Sequence, residues 1–198
     1  MTKRKKAFVD KGREVSIAYY DLLEKSERLN DKRMKKELRS LIQQDPDFLD
    51  SYNLLYEILQ DEGGFSEAED VIGEAYQRAI KIIADTKGNW PHEMLWGYLA
   101  NRHIIRAILN RALSFWMQGK TEDALELLRG LLKSNPGDNV GARDFILAIR
   151  MNMSFEEFEE RFDKGGYCDS DLTDFFYENY QKFPDEFGWW DKAIEEME

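Results

Sequence analysis

Residues 105–136 read IRAILNRALSFWMQGKTEDALELLRGLLKSNP, and their pattern gives the clearest indication of the fold. Its apolar residues recur three and four positions apart, as Leu125 and Leu128 do, which is the spacing of one face of an α-helix. Gly119 marks a turn in the middle of the stretch, and Pro136 closes it. The stretch therefore predicts two amphipathic helices joined by a tight turn, which together form a helical hairpin.

The same pattern continues on both sides of this hairpin in a frame of 34 residues. Counting from Ile105 as position 1 places Ala112 at position 8 and Ala124 at position 20. A repeat of this length indicates a supersecondary unit that buries its apolar face against the next unit. We therefore expect an all-α protein of about four helical hairpins. Further units begin at Leu49 and Asn139, and another ends at Pro46.

This frame resembles the tetratricopeptide repeat (TPR), whose small residues at positions 8 and 20 let paired helices approach closely. The resemblance implies an α-α superhelix. Two units depart from it, because Tyr56 stands at position 8 of one and Phe158 at position 20 of another. Residues 50–150, including Trp96-Gly97 and Arg106-Ala107, are also similar to uncharacterised bacterial TPR-like proteins. That similarity implies a cytosolic protein of bacterial type and brings no known reaction.

The repeat frame is interrupted in the middle of the chain. A regular unit would begin again at Ile83, but the next good start comes 22 residues later. Pro91 suits the first position of a helix, and only Gly97 breaks the helical periodicity that follows. The sequence therefore predicts two elongated central helices, near residues 66–86 and 91–118.

The C-terminal segment differs from the repeats because it is both acidic and aromatic. We expect residues 1–163 to form the TPR-like domain and residues 164–198 a helical cap packed on it, within a single domain overall. Two interpretations stay open: the tail closes the last hairpin as a cap, or it fills the protein's own groove against Arg143 and Arg150. Its aromatic residues are Tyr167, Phe175, Phe176, Tyr177, Tyr180, Phe183, Phe187, Trp189 and Trp190.

Charge and cysteine content limit the classes of partner. The chain of 198 residues has a net charge of −11, which disfavours nucleic acid although residues 1–44 are basic. No uncharged stretch approaches the ~20 residues that span a bilayer, so no membrane partner is expected. Cys168 is the only cysteine, which leaves no disulfide within the chain and fits a cytoplasmic location.

Residues that commonly carry catalysis are scarce. Only two histidines occur, eleven positions apart, and neither belongs to a zinc-protease or di-iron helix motif. No glycine-rich phosphate loop is present, and Cys168 has no histidine near it in sequence. We therefore expect no enzyme activity, no cofactor and no metal. The less favoured alternative is an enzyme pocket formed near Trp90, His92, Trp96 and His103.

Protein binding is the function that the sequence supports better. In TPR proteins the first helix of each unit lines a groove, and that resemblance assigns nine groove residues here. Trp116 and the arginines would anchor an acidic or aromatic segment of a protein or peptide partner, unless Trp116 packs under the next hairpin. A homodimer through the long helices or the tail is the alternative. The groove residues are Asn53, Glu57, Arg106, Leu109, Leu113, Trp116, Arg143, Leu147 and Arg150.

Overall fold

The computed structural model describes residues 7–162 and 170–195. All regular structure in these two ranges is helical, with no strand, which confirms the predicted all-α class. Short 3-10 turns at Ser26–Arg28, Leu99–Asn101 and Tyr180–Lys182 accompany the α-helices. The α-helices are α1 (Val15–Glu24), α2 (Asp31–Gln44), α3 (Asp50–Asp61), α4 (Phe65–Ile83), α5 (Arg102–Met117), α6 (Thr121–Ser134), α7 (Ala142–Arg150), α8 (Phe155–Phe162), α9 (Ser170–Asn179), α10 (Pro184–Phe187) and α11 (Trp190–Glu195).

The chain divides into two compact units, the first ending at Arg111 and the second beginning at Ala112. The division falls within α5, so the first unit contains α1 to α4 and most of α5. The second unit contains the end of α5 and helices α6 to α11. Each unit buries its own set of apolar side chains.

In the first unit, α1 packs on α2, α2 packs on α3, and α3 packs on α4. The connections are short, with only residues 62–64 between α3 and α4, so consecutive helices run antiparallel. Ala68 and Ala75 of α4 are fully buried, and their small side chains let α3 approach closely. Tyr52 and Leu55 of α3 fill the remaining space. The predicted helical hairpins are therefore present in this unit.

In the second unit, α6 packs on α7, and α7 packs on α9. Helix α7 begins directly after Gly141, whose φ of +73° lies in the left-handed region that favours glycine. The Asp138 carboxylate accepts hydrogen bonds from the backbone N–H groups of Ala142, at 2.7 Å, and Arg143, at 3.0 Å. These bonds satisfy two N–H groups that have no partner inside the helix, and so they fix where α7 starts.

The predicted long helix over residues 91–118 is wrong. Helix α4 ends at Ile83, and α5 begins only at Arg102. Between them the Asp85 carboxylate accepts hydrogen bonds from the backbone N–H groups of Lys87 and Asn89, at 2.8 and 2.9 Å, which closes a turn. Such local side-chain bonds to the backbone compete with helix formation. The prediction near 66–86 corresponds to α4 and ends three residues too late.

A contact distant in sequence holds the rest of this segment in a non-helical path. The Asn101 side chain accepts a hydrogen bond from the backbone N–H of Asp10, at 3.0 Å. Its amide donates to the backbone carbonyls of Phe8, at 3.0 Å, and Leu95, at 3.2 Å. The N-terminal residues therefore lie along residues 93–101, with Met94 fully buried beneath them.

Asn101→Ala is expected to destabilise the first unit by about 3 kcal/mol, because it leaves three backbone groups without their hydrogen-bond partner. Urea unfolding followed by circular dichroism measures this loss. Asn89→Ala is the matched control, since the Asn89 side chain bonds only to exposed Asp85, and it should cost less than about 1 kcal/mol. Equal losses for the two variants would contradict the proposed role of Asn101.

Candidate functional site

Two of the predicted groove residues of the first unit, Asn53 and Arg106, contact the buried carboxylate of Asp50. Arg106 donates to both Asp50 oxygens, from Nε at 2.9 Å and from Nη2 at 2.5 Å. The buried amide of Asn53 donates to Asp50 and to the backbone carbonyl of His103. Glu57 is exposed and Leu109 is half-buried. Asn53 is therefore a structural residue here, and the charge of Arg106 is already matched by Asp50.

The histidines of the less favoured enzyme pocket do not share a site. His92 is largely exposed, whereas both ring nitrogens of His103 are engaged inside the first unit. The backbone N–H of Leu49 donates to Nδ1 of His103, at 3.1 Å, which places the ring proton on Nε2. That nitrogen lies 3.0 Å from Asp10 Oδ2 and donates to it. His103 therefore has no nitrogen lone pair left to take a proton from a substrate.

In the second unit, two predicted groove residues are core residues instead. Trp116 is only 3% exposed, and Leu147 is fully buried. The Trp116 ring contacts Phe155 and Phe158 edge-on, with centroids 5.4 and 5.5 Å apart, and its Nε1 donates to the Met153 carbonyl. Aromatic packing against α8 accounts for the burial of Trp116, and neither Trp116 nor Leu147 is exposed enough to anchor a ligand. Leu113 is half-buried.

Arg143 and Arg150, by contrast, do lie together with acidic and aromatic side chains. They form, with Arg129 of α6, a cluster that we call the arginine site. Arg129 Nε donates to both oxygens of Glu186, at 2.9 and 3.1 Å, and its Nη2 also contacts Glu186. Arg150 Nη1 donates to Glu186, at 2.5 Å, and to Asp185, at 2.8 Å. Two arginines thus hold one carboxylate, whose side chain is 7% exposed.

Aromatic rings complete the arginine site. The Cζ atom of Arg143 lies 4.8 Å from the ring centroid of Phe176 and 5.0 Å from that of Trp190, which are cation–π distances. Arg150 Cζ lies 4.9 Å from the ring of Phe183. Trp190 Nε1 donates to the Pro136 carbonyl at 3.0 Å, so the polar edge of this buried ring is satisfied.

The pKa values of two carboxyl groups beside these arginines are shifted in opposite directions. Burial would raise the pKa of Glu186, but hydrogen bonds from Arg129 and Arg150 lower it below its ordinary value. Asp144 lies on the other side of Arg143, and burial raises its pKa to about 7 despite the nearby guanidinium. Glu186 is therefore an anion throughout the physiological range, whereas Asp144 titrates within it.

The repeat frame predicted only some of the residues that form the arginine site. The TPR resemblance assigns groove residues only to the first helix of each unit. It therefore predicted Arg143 and Arg150 on α7 but not Arg129 on α6, which is the second helix of the preceding unit. The acidic partners Asp185 and Glu186 directly follow Pro184. A proline followed by two acidic residues predicts the start of a helix. That pattern does not predict which arginines the two acidic residues contact.

Comparisons with protein-family models, curated proteins and solved structures found no match to this chain. Within residues 7–162 and 170–195, no group of three or more histidine, cysteine or acidic side chains is arranged to hold a metal. None of the helices described is both long and apolar enough to cross a membrane. Cys168 lies outside the described residues.

Asp144→Asn is expected to stabilise the protein at pH 8 and to have little effect at pH 4. A carboxyl whose folded pKa exceeds its unfolded value makes the native state bind more protons, so stability falls as pH rises between 3.8 and about 7. The asparagine removes this penalty, which amounts to about 4 kcal/mol at most. Urea unfolding of the wild type and the variant at both pH values measures it.

Asp174→Asn provides the control, because Asp174 is an exposed residue of α9 in the same unit. Its effect on the free energy of unfolding should be the same at both pH values, within about 0.5 kcal/mol. A gain for Asp144→Asn that did not change with pH would show that burial of the Asp144 charge is not its cause.

Proposed function

We propose that this chain is a TPR-like α-α superhelix protein of the cytoplasm that works as a protein-interaction module without catalysis. Its binding surface is the arginine site on α6 and α7. The ligand is an acidic and aromatic segment of a partner protein. In the absence of that partner, residues 184–195 of the chain itself, which we call the resident segment, occupy the site.

The main support for this proposal is the set of hydrogen bonds that hold the resident segment. Glu186 is buried, yet it is gripped by Arg129 and Arg150 through charge-assisted hydrogen bonds. Paired hydrogen bonds of this kind between arginine and a carboxylate give geometric specificity as well as energy, which is why they recur where carboxylates are recognised. The contact therefore has the chemistry of peptide recognition.

Simple capping of a helical stack would not require these charges. A cap has to cover the apolar end of the last hairpin, and aliphatic or aromatic side chains achieve that alone. Burying ion pairs contributes little net stability, because desolvation offsets most of the Coulomb attraction. Arginine and carboxylate pairs instead discriminate between correct and incorrect ligands, since an unmatched buried charge is strongly unfavourable.

The resident segment also indicates which features a partner must have. Its acidic Glu186 is followed one and four positions later by Phe187 and Trp190, both of which are buried. The segment folds as two short helices, in which Phe187 and Trp190 both contact the ring of Phe176 while Glu186 meets the arginines. We infer that a partner presents an acidic residue with large aromatic residues at the same spacing.

The experiment exchanges the resident segment for a labelled copy of itself. A protease site placed between Phe183 and Pro184 is cut after folding, and the labelled peptide of residues 184–195 is added. We expect saturable binding with one peptide per chain, and at least tenfold weaker binding to the uncut protein. Arg143→Ala or Arg150→Ala in the cut protein should weaken binding at least tenfold, which corresponds to ~1.4 kcal/mol or more. Fluorescence anisotropy gives the affinities.

Arg161→Ala is the matched control, because Arg161 also lies over aromatic rings in the second unit but contacts Phe162 and Phe175 instead of the resident segment. It should leave the affinity unchanged. The proposal fails if the cut protein aggregates once the segment leaves, since the segment would then be an inseparable cap. It also fails if the arginine substitutions leave peptide binding unchanged.

A further inference from the structure

A second surface borders the arginine site and shares Arg150 with it. It is an open cleft of about 590 Å³ in the second unit, bounded by the end of α5, the start of α6 and the turn between α7 and α8. Its apolar floor exposes the half-buried Met153 and Phe155, whereas the side chains of Trp116, Leu125 and Ile149 that also line it are buried. Met117 at the rim is 37% exposed and adds apolar surface to the cleft.

Local structure holds this cleft open. Helix α7 ends in a turn where Asn152 adopts a left-handed backbone with φ of +60°, so the chain leaves α7 at a sharp angle. Helix α8 then starts with a reciprocal cap, in which the backbone N–H of Ser154 donates to Glu157 and that of Glu157 donates to the Ser154 hydroxyl. This cap fixes Phe155 against Trp116, and the cleft remains between that pair and α6.

The rim of the cleft is negatively charged. Glu122 of α6 and Glu156 of α8 both line it, and within the described part of the chain neither forms an ion pair. Glu157 adds a third carboxylate. The one cation lining the cleft is Arg150, whose guanidinium already donates to Asp185 and Glu186. The local field therefore attracts a cation and repels phosphates and carboxylates.

We propose that this cleft is a second docking surface, and that it takes a protein segment in which an apolar side chain is flanked by lysine or arginine. The apolar floor contacts the apolar side chain and the stem of the basic residue, while Glu122 and Glu156 face its charge. The proposal does not depend on the acidic ligand of the arginine site, because the two surfaces select opposite charges. One chain would then join an acidic segment and a basic one.

The test uses two probe peptides and the full-length chain. One peptide is an amphipathic leucine and lysine helix of about three turns, and the other replaces each lysine with glutamate. At low ionic strength the lysine peptide should bind saturably and the glutamate peptide at least tenfold more weakly. Glu122→Gln combined with Glu156→Gln should weaken the lysine peptide at least tenfold. A lysine peptide whose leucines are glutamines should also bind at least tenfold more weakly.

Glu178→Gln is the control for general attraction to an acidic protein, because Glu178 is an exposed residue of α9 that does not line the cleft. It should change the affinity less than twofold. The proposal is overturned if the two peptides bind equally, if the double substitution leaves binding unchanged, or if Glu178→Gln weakens it as much. It is also overturned if the glutamine-containing peptide binds as well as its parent, since the apolar floor would then play no part.

Discussion

The buried carboxylate of Glu186 determines how residues 184–195 lie on helices α6 and α7. A buried anion is costly unless it is paired, so Arg129 of α6 and Arg150 of α7 must both reach it. This requirement fixes α10 against both helices. It also sets Trp190 at cation–π distance from Arg143, because the same short segment carries Glu186 and Trp190.

The hairpins could be predicted from the sequence because their causes are local. Apolar spacing sets each buried helix face, and Gly63 and Gly119, with φ of +77° and +73°, end α3 and α5 at the turns that the sequence indicates. The failed helix over 91–118 has a distant cause. Asn101 bonds to Phe8 and Asp10 across more than 90 positions, and no window around Pro91 contains that information.

The candidate site, like the fold, could be predicted from the sequence only in part. The TPR frame identified Arg143 and Arg150, because their helix positions follow from the repeat, but it also assigned Trp116 to the surface. Trp116 is buried because Phe155 and Phe158 of α8 pack against it. A prediction from helix positions alone does not take the neighbouring helix into account. Arg129 was missed because its partner lies 57 positions away in a segment outside the repeats.

We propose that residues 184–195 are a separable ligand rather than an integral part of the second unit. Hydrogen exchange of the unmodified protein, resolved by mass spectrometry, tests it most directly because local opening exchanges amides without global unfolding. We predict that amides of α10 and α11 exchange by an opening reaction of clearly lower free energy than those of α6 and α7. Exchange of all four helices at one common free energy would contradict the claim, since the segment would then leave only when the whole unit unfolds.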